Sequence, residues 1–173
     1  KDKAIDDLLS TNIYNAIWCK VFRSNLNPDW IEADVFQSDD KLLTYSLYKV
    51  CNSFLKVDSH LYKYFFFHGL SQQTTTVKRL NDSIFVREKL AELEPHYNDL
   101  LMIDILDCIL SYTFFNKENG EYEKISFSQT KWNYRKIIKK YPLRKKILYK
   151  LTIKKHFKAI IFARNLLRKK KWK

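Results

Sequence analysis

Two glycines in 173 residues, Gly69 and Gly120, limit what this chain can become more than any other feature. A phosphate-cradling loop of the P-loop or dinucleotide type needs several residues without a Cβ where backbone meets phosphate, and this chain has no such run. Sandwiches and barrels joined by many tight turns also lean on glycine. The expectation is therefore a helix-rich fold. With 46% apolar and 16% aromatic residues, the chain has enough to build a core and is not disordered by composition.

Charge divides the chain in two. Residues 1–130 carry a net charge of −5, whereas residues 131–173 hold 18 basic and no acidic residues. A mildly acidic body followed by a strongly basic segment points to an anionic partner for that segment. Cys19, Cys51 and Cys108 are odd in number and widely spaced, which fits reduced thiols of the cytoplasm better than a disulfide framework. His60, His68, His96 and His156 form no pair at zinc-ligand spacing. The longest apolar run is five residues, 159–163. A membrane-spanning helix needs about 20.

Along the chain, residues 3–10 predict a short helix. Residues 13–23 have a period ambiguous between strand and helix. Asn27-Pro28-Asp29 marks a turn. Ser38 reads as an N-cap followed by Asp39 and Asp40, and the helix it opens buries Leu42, Leu43, Leu47, Tyr48, Val50 and Cys51. Residues 54–57 and 61–67 predict two short strands. Residues 82–94 predict an amphipathic helix ended by Pro95, and 97–115 a more apolar one with Leu100, Leu101, Ile103, Leu106, Ile109 and Leu110 as its stripe. From Leu143 a helical pattern runs to the end, with Leu143, Ile147, Leu148, Leu151, Phe157, Ile160, Ile161 and Leu167 recurring at three- and four-residue spacing. The fold class expected is α+β and mostly helical. A small short-stranded layer with helices (1–75) precedes a helical pair (76–124) and basic amphipathic C-terminal helices (125–173).

Three segments in order resemble the C-terminal, acceptor-side half of the catalytic domain of bacterial family-2 glycosyltransferases of the GT-A type. Ala16-Ile17-Trp18-Cys19-Lys20-Val21-Phe22-Arg23 is similar to their apolar-Trp-x-Lys-apolar-aromatic-basic segment. Ser38-Asp39-Asp40-Lys41-Leu42-Leu43 is similar to the acidic pair that opens a helix. Leu61-Tyr62-Lys63-Tyr64 with Ser71 is similar to the strand that follows. The resemblance covers about a third of the chain well. It implies inverting transfer of a sugar from a nucleotide-sugar to a hydroxyl of a surface polysaccharide or lipid-linked glycan, with Asp40 as general base and Asp39 raising its pKa. Trp18 would stack on a sugar ring, and Lys20 and Arg23 would meet phosphate. A divalent cation, Mg or Mn, is implied as Lewis acid for the leaving diphosphate. Its main ligands are expected outside this chain, since no Asp-x-Asp motif occurs here. An N-terminal nucleotide-binding half is expected as the chain's other part, and the chain starting at Lys1 reads as a fragment that is inactive alone.

Each of these residues also has an ordinary structural reading. Acids in a first helical turn complement the macrodipole. Trp18 suits a core, and Lys20 and Arg23 suit solvent. Asp104 and Asp107 suit a polar helix face. The basic segment has three readings. One is a peripheral helix on the anionic inner face of the plasma membrane, with Trp132 and Trp172 at headgroup level. Another is a nucleic-acid binder using Trp132, Tyr134, Tyr141 and Tyr149, although no nucleic-acid motif is present. The last is a helical hairpin packed on the body with a solvated basic face. The competing class for the whole chain is thus a non-enzymatic helical module that binds an anionic surface through residues 131–173.

Overall fold

The computed structural model describes residues 1–10, 17, 20–31, 34, 35, 39–55, 76–116, 120–127 and 134–169, with backbone alone at 134, 135 and 164–169. The described chain is mostly helical, and no strand occurs among the described residues. Of the two expected strands, only Phe54 and Leu55 are described, and they are neither helix nor strand; the rest lie outside the described residues, as do Ser38 and Trp18. The chain divides into two compact units, Lys1–Thr74 and Thr75–Lys173.

In the first unit α1 (Asp2–Leu9) packs on α2 (Asp39–Val50). Helix α1 buries Ile5, Leu8 and Leu9 on one side, as i, i+3, i+4 spacing requires. Helix α2 is buried around most of its girth. Leu42, Tyr45, Leu47 and Tyr48 are joined in the interior by Lys41, Thr44 and Ser46, while Leu43 and Val50 are only half-buried. Phe54 meets Tyr48 edge-on at 4.7 Å between ring centroids, which turns the chain back over the end of α2.

The second unit is built around α4 (Asn98–Phe115). Leu101, Met102, Ile105, Leu106 and Ile109 are fully buried, and burial extends further round the helix to Ile103 and Leu110. A helix apolar on several sides needs several neighbours. Here α3 (Val77–Leu93), α5 (Tyr134–Ile138), α6 (Leu143–Ile153) and α7 (Phe157–Lys169) all contact it. Leu100, expected on the stripe, is instead exposed. Helix α3 starts five residues before its expected onset, because the Thr76 side chain accepts the Arg79 N–H at 3.3 Å. Thr76→Ala should therefore lower the stability of this unit by about 1 kcal/mol in denaturant melts, the usual worth of an N-cap.

Between α4 and α5 the chain is pinned by side chains. Asn81 of α3 donates to the Lys124 carbonyl at 2.9 Å and accepts from the Ser126 N–H at 3.0 Å, so the segment carrying buried Ile125 and Phe127 is held to α3. Tyr122 donates to the Asn116 carbonyl and stacks on Phe157 at 5.1 Å. A Cβ on Gly120 would come within 2.3 Å of the Tyr122 ring and 2.7 Å of the Asn116 carbonyl oxygen, so this close approach admits only glycine.

The expected continuous helix from Leu143 is two helices. The His156 N–H bonds the Leu151 carbonyl and the Lys155 N–H bonds the Thr152 carbonyl, both at 2.9 Å, with Lys155 at φ 54°. That is a Schellman ending made without glycine. Local strain at Lys155 is offset by its ammonium, which donates to the Ile125 carbonyl at 2.9 Å and lies 5.6 Å from the Phe127 ring centre.

Asp104 and Asp107 leave α4 toward different partners. Asp104 pairs with Arg87 of α3 at 2.5 Å, and Arg87 also donates to the Ser83 carbonyl and hydroxyl at 2.9 Å. Asp107 accepts from the buried Tyr149 hydroxyl at 2.8 Å and lies 3.7 Å from the Lys145 ammonium. Burial, followed by the bond to Asp107, holds the Tyr149 phenol well above the usual range, so it stays a neutral donor.

Candidate functional site

The first turn of α2 carries the densest chemistry of the first unit. Asp39 is exposed and Asp40 half-buried, both at a helix N-terminus where backbone N–H groups favour negative charge. The Asp40 carboxyl nonetheless has a pKa above the ordinary 3.8. Burial is the main cause and the neighbouring Asp39 charge the second; an Ile17 backbone N–H bonded to the carboxyl and the Lys20 ammonium only partly offset them. The structure thus brings Asp39, Asp40 and Lys20 together through the Ile17–Lys20 turn, whose Lys20 N–H bonds the Ile17 carbonyl at 3.1 Å. Arg23 is exposed, with no place in that set.

Beside this turn opens a cleft of about 500 Å³ lined by Trp30, Ile31, Asp34, Val35, Asp39, Leu42 and Leu43. Asp39, not Asp40, forms its acidic wall. Trp30 is 52% exposed, an unusual state for so large an aromatic surface. An open indole face with two carboxylates suits a polar ring that offers apolar C–H faces and hydroxyl donors. Trp30 and Asp34 were not legible as site residues. In sequence they are a tryptophan and an acid after the Asn27-Pro28-Asp29 turn, and only the fold gathers them with Asp39 around one cleft. Lys41 was also missed: it is 2% exposed, next in sequence to the acidic pair.

Among the described residues no three His, Cys, Asp or Glu converge to hold a metal ion. His60 and His68 lie outside the described residues. No described helix is long and apolar enough to cross a membrane. Comparison with family models, with curated proteins and with solved structures finds no match for the chain.

Proposed function

We propose that the chain is the acceptor-side part of a bacterial inverting glycosyltransferase of family-2 type, joined in the working enzyme to a nucleotide-binding half. In this reading the first unit includes the short-stranded layer expected from its sequence. The observation that carries the proposal is the raised pKa of Asp40 within the Asp39–Asp40–Lys20 set, beside a cleft with an open tryptophan face. A hydroxyl attacks poorly until its proton is taken, and a carboxylate whose pKa is lifted toward neutrality is a better-matched base than an ordinary one. Asp40 takes the acceptor proton as the oxygen attacks the anomeric carbon with inversion. Asp39 lifts the pKa of Asp40 and meets the acceptor at the cleft wall. Lys20, Arg23 and Trp18 contribute to donor or acceptor binding, Trp18 by stacking on a sugar ring. A divalent cation, Mg or Mn, when bound, stabilises the leaving diphosphate. The enzyme works on the cytoplasmic, anionic face of the plasma membrane, where a lipid-linked acceptor resides.

The test is sugar transfer by the intact protein from a panel of nucleotide-sugars to a membrane lipid extract. Asp39→Asn removes the second cause of the raised Asp40 pKa, so the acidic limb of the kcat/KM–pH profile should move to lower pH. An unmoved limb, or an Asp40→Asn protein of parental turnover, would remove Asp40 from the mechanism. The competing reading, a non-enzymatic module with an anionic partner, rests on the basic segment alone.

A further inference from the structure

Helix α6 is built inside out. Its most apolar stripe, Leu143 and Ile147, is 72% and 44% exposed, with Leu151 half-buried on the same side. Tyr149 and Thr152 face the core instead and are fully buried. At about 100° per residue, Leu143 and Ile147 lie on the side of the helix opposite Tyr149 and Thr152. The two hydroxyls tolerate the interior because each has a partner: Asp107 for Tyr149 and the Leu148 carbonyl, at 2.9 Å, for Thr152. Helix α7 shows the same division. Phe157 and Ile160 are buried, while Phe162 is 65% exposed. The core of this unit is therefore closed without these three apolar groups.

The surroundings of the stripe say what covers it. Arg144 and Lys150 are exposed on α6, as are Lys154 and Lys158 beyond it, and residues 131–173 contain no acid. Lys140 and Lys145 point back to Asp99 and Asp107 of α4, at 3.4 and 3.7 Å, and so hold the helices to the body. Isolated apolar residues ringed by cations fit a surface that is apolar below and anionic above, whereas a protein partner would need a continuous apolar patch. We propose that Leu143 and Ile147 of α6 insert into the headgroup boundary of an anionic bilayer while the helix stays packed on α4. This deepens the membrane location given under the proposed function and rests on it. The segment docks as a folded hairpin with a small inserted face, not as a free amphipathic helix that turns its whole apolar stripe to lipid.

Sedimentation with vesicles of phosphatidylcholine alone, or of equimolar phosphatidylcholine and phosphatidylglycerol, tests it with the full chain. The parent should bind the anionic vesicles more tightly, and less so as salt rises. Leu143→Ser with Ile147→Ser keeps the charge and should weaken partitioning about tenfold or more, with a melting temperature like the parent's. Tyr149→Phe should lower the melting temperature and leave partitioning unchanged. If the parent prefers anionic vesicles but the double serine variant binds equally well, the inserted face is wrong and the membrane location stands. If the parent shows no anionic preference, or retards single-stranded RNA in a gel while ignoring vesicles, both fail.

Discussion

On the proposed function, the intact enzyme carrying Asp40→Asn should transfer sugar at least about 100-fold more slowly than its parent, since positioned proton transfer contributes about 10²- to 10⁴-fold. The same change should make the first unit melt at a higher temperature at pH 7. The two effects have one cause. Burial, then the Asp39 charge, raise the folded-state pKa of Asp40 above the ordinary 3.8 of the unfolded chain. Folding therefore favours the protonated carboxyl, and stability is lost as pH rises from the unfolded pKa through the folded one. Once ionised in the folded state, the carboxylate carries that penalty, and asparagine does not. The parent and the variant should converge in melting temperature below the ordinary carboxylate range. Slow transfer with unchanged stability at every pH would point to mere disruption of the cleft, and parental transfer would end the assignment. The gain in stability distinguishes a strained functional acid from two acids that simply complement the helix dipole, because removing those would cost stability.

The second large effect lies in the other unit. Asp104→Ala should destabilise it by about 2 to 3 kcal/mol, somewhat below the 3–5 kcal/mol of a fully buried pair, because Asp104 remains partly exposed. Arg87 explains the size. Burial opposes its charge, but at the high pH where it would titrate, the Cys108 thiolate and the Asp104 carboxylate outweigh burial and raise its pKa further, so it cannot escape by losing its proton. Without Asp104 the guanidinium keeps Ser83 as its hydrogen-bond partner among the described residues. Arg87→Met combined with Asp104→Leu should recover most of the loss, since it removes both charges and keeps the volume between α3 and α4. Chemical denaturation of the parent, Asp104→Ala and the double variant measures it; a double variant as unstable as Asp104→Ala would mean that packing, not the stranded charge, dominates.

Much of the helical order was legible. Two glycines, the Asp39-Asp40 opening of α2, Pro95 and the dense apolar pattern of α4 each act within one or two turns, and sequence reports such local effects well. Other features depend on partners far along the chain. The Lys155 break has no glycine to announce it and exists because Ile125 and Phe127 stand ready for its ammonium. Thr76 lies well before the helix that the apolar pattern marks over 82–94, yet it is the cap that starts α3 early. At the candidate site, Asp39, Asp40 and Lys20 could be named from the resemblance of their segments, whereas Trp30 and Asp34 could not, because nothing local marks them as neighbours of α2.

By itself, the sequence determined that this chain is mostly helical, that its net positive charge comes from the last quarter, and that it holds no glycine-rich loop for a nucleotide. All three follow from backbone freedom and composition, which need no neighbour to act. Tertiary structure decided which face of each helix is inside. In α6 periodicity favoured Leu143 and Ile147, yet Tyr149 and Thr152 took the core, since burial is won by the side chain that finds partners and not by the most apolar one. The same holds for Asp40. Its place at a helix start is written in the sequence, but its raised pKa comes from the surfaces and charges that folding brings around it.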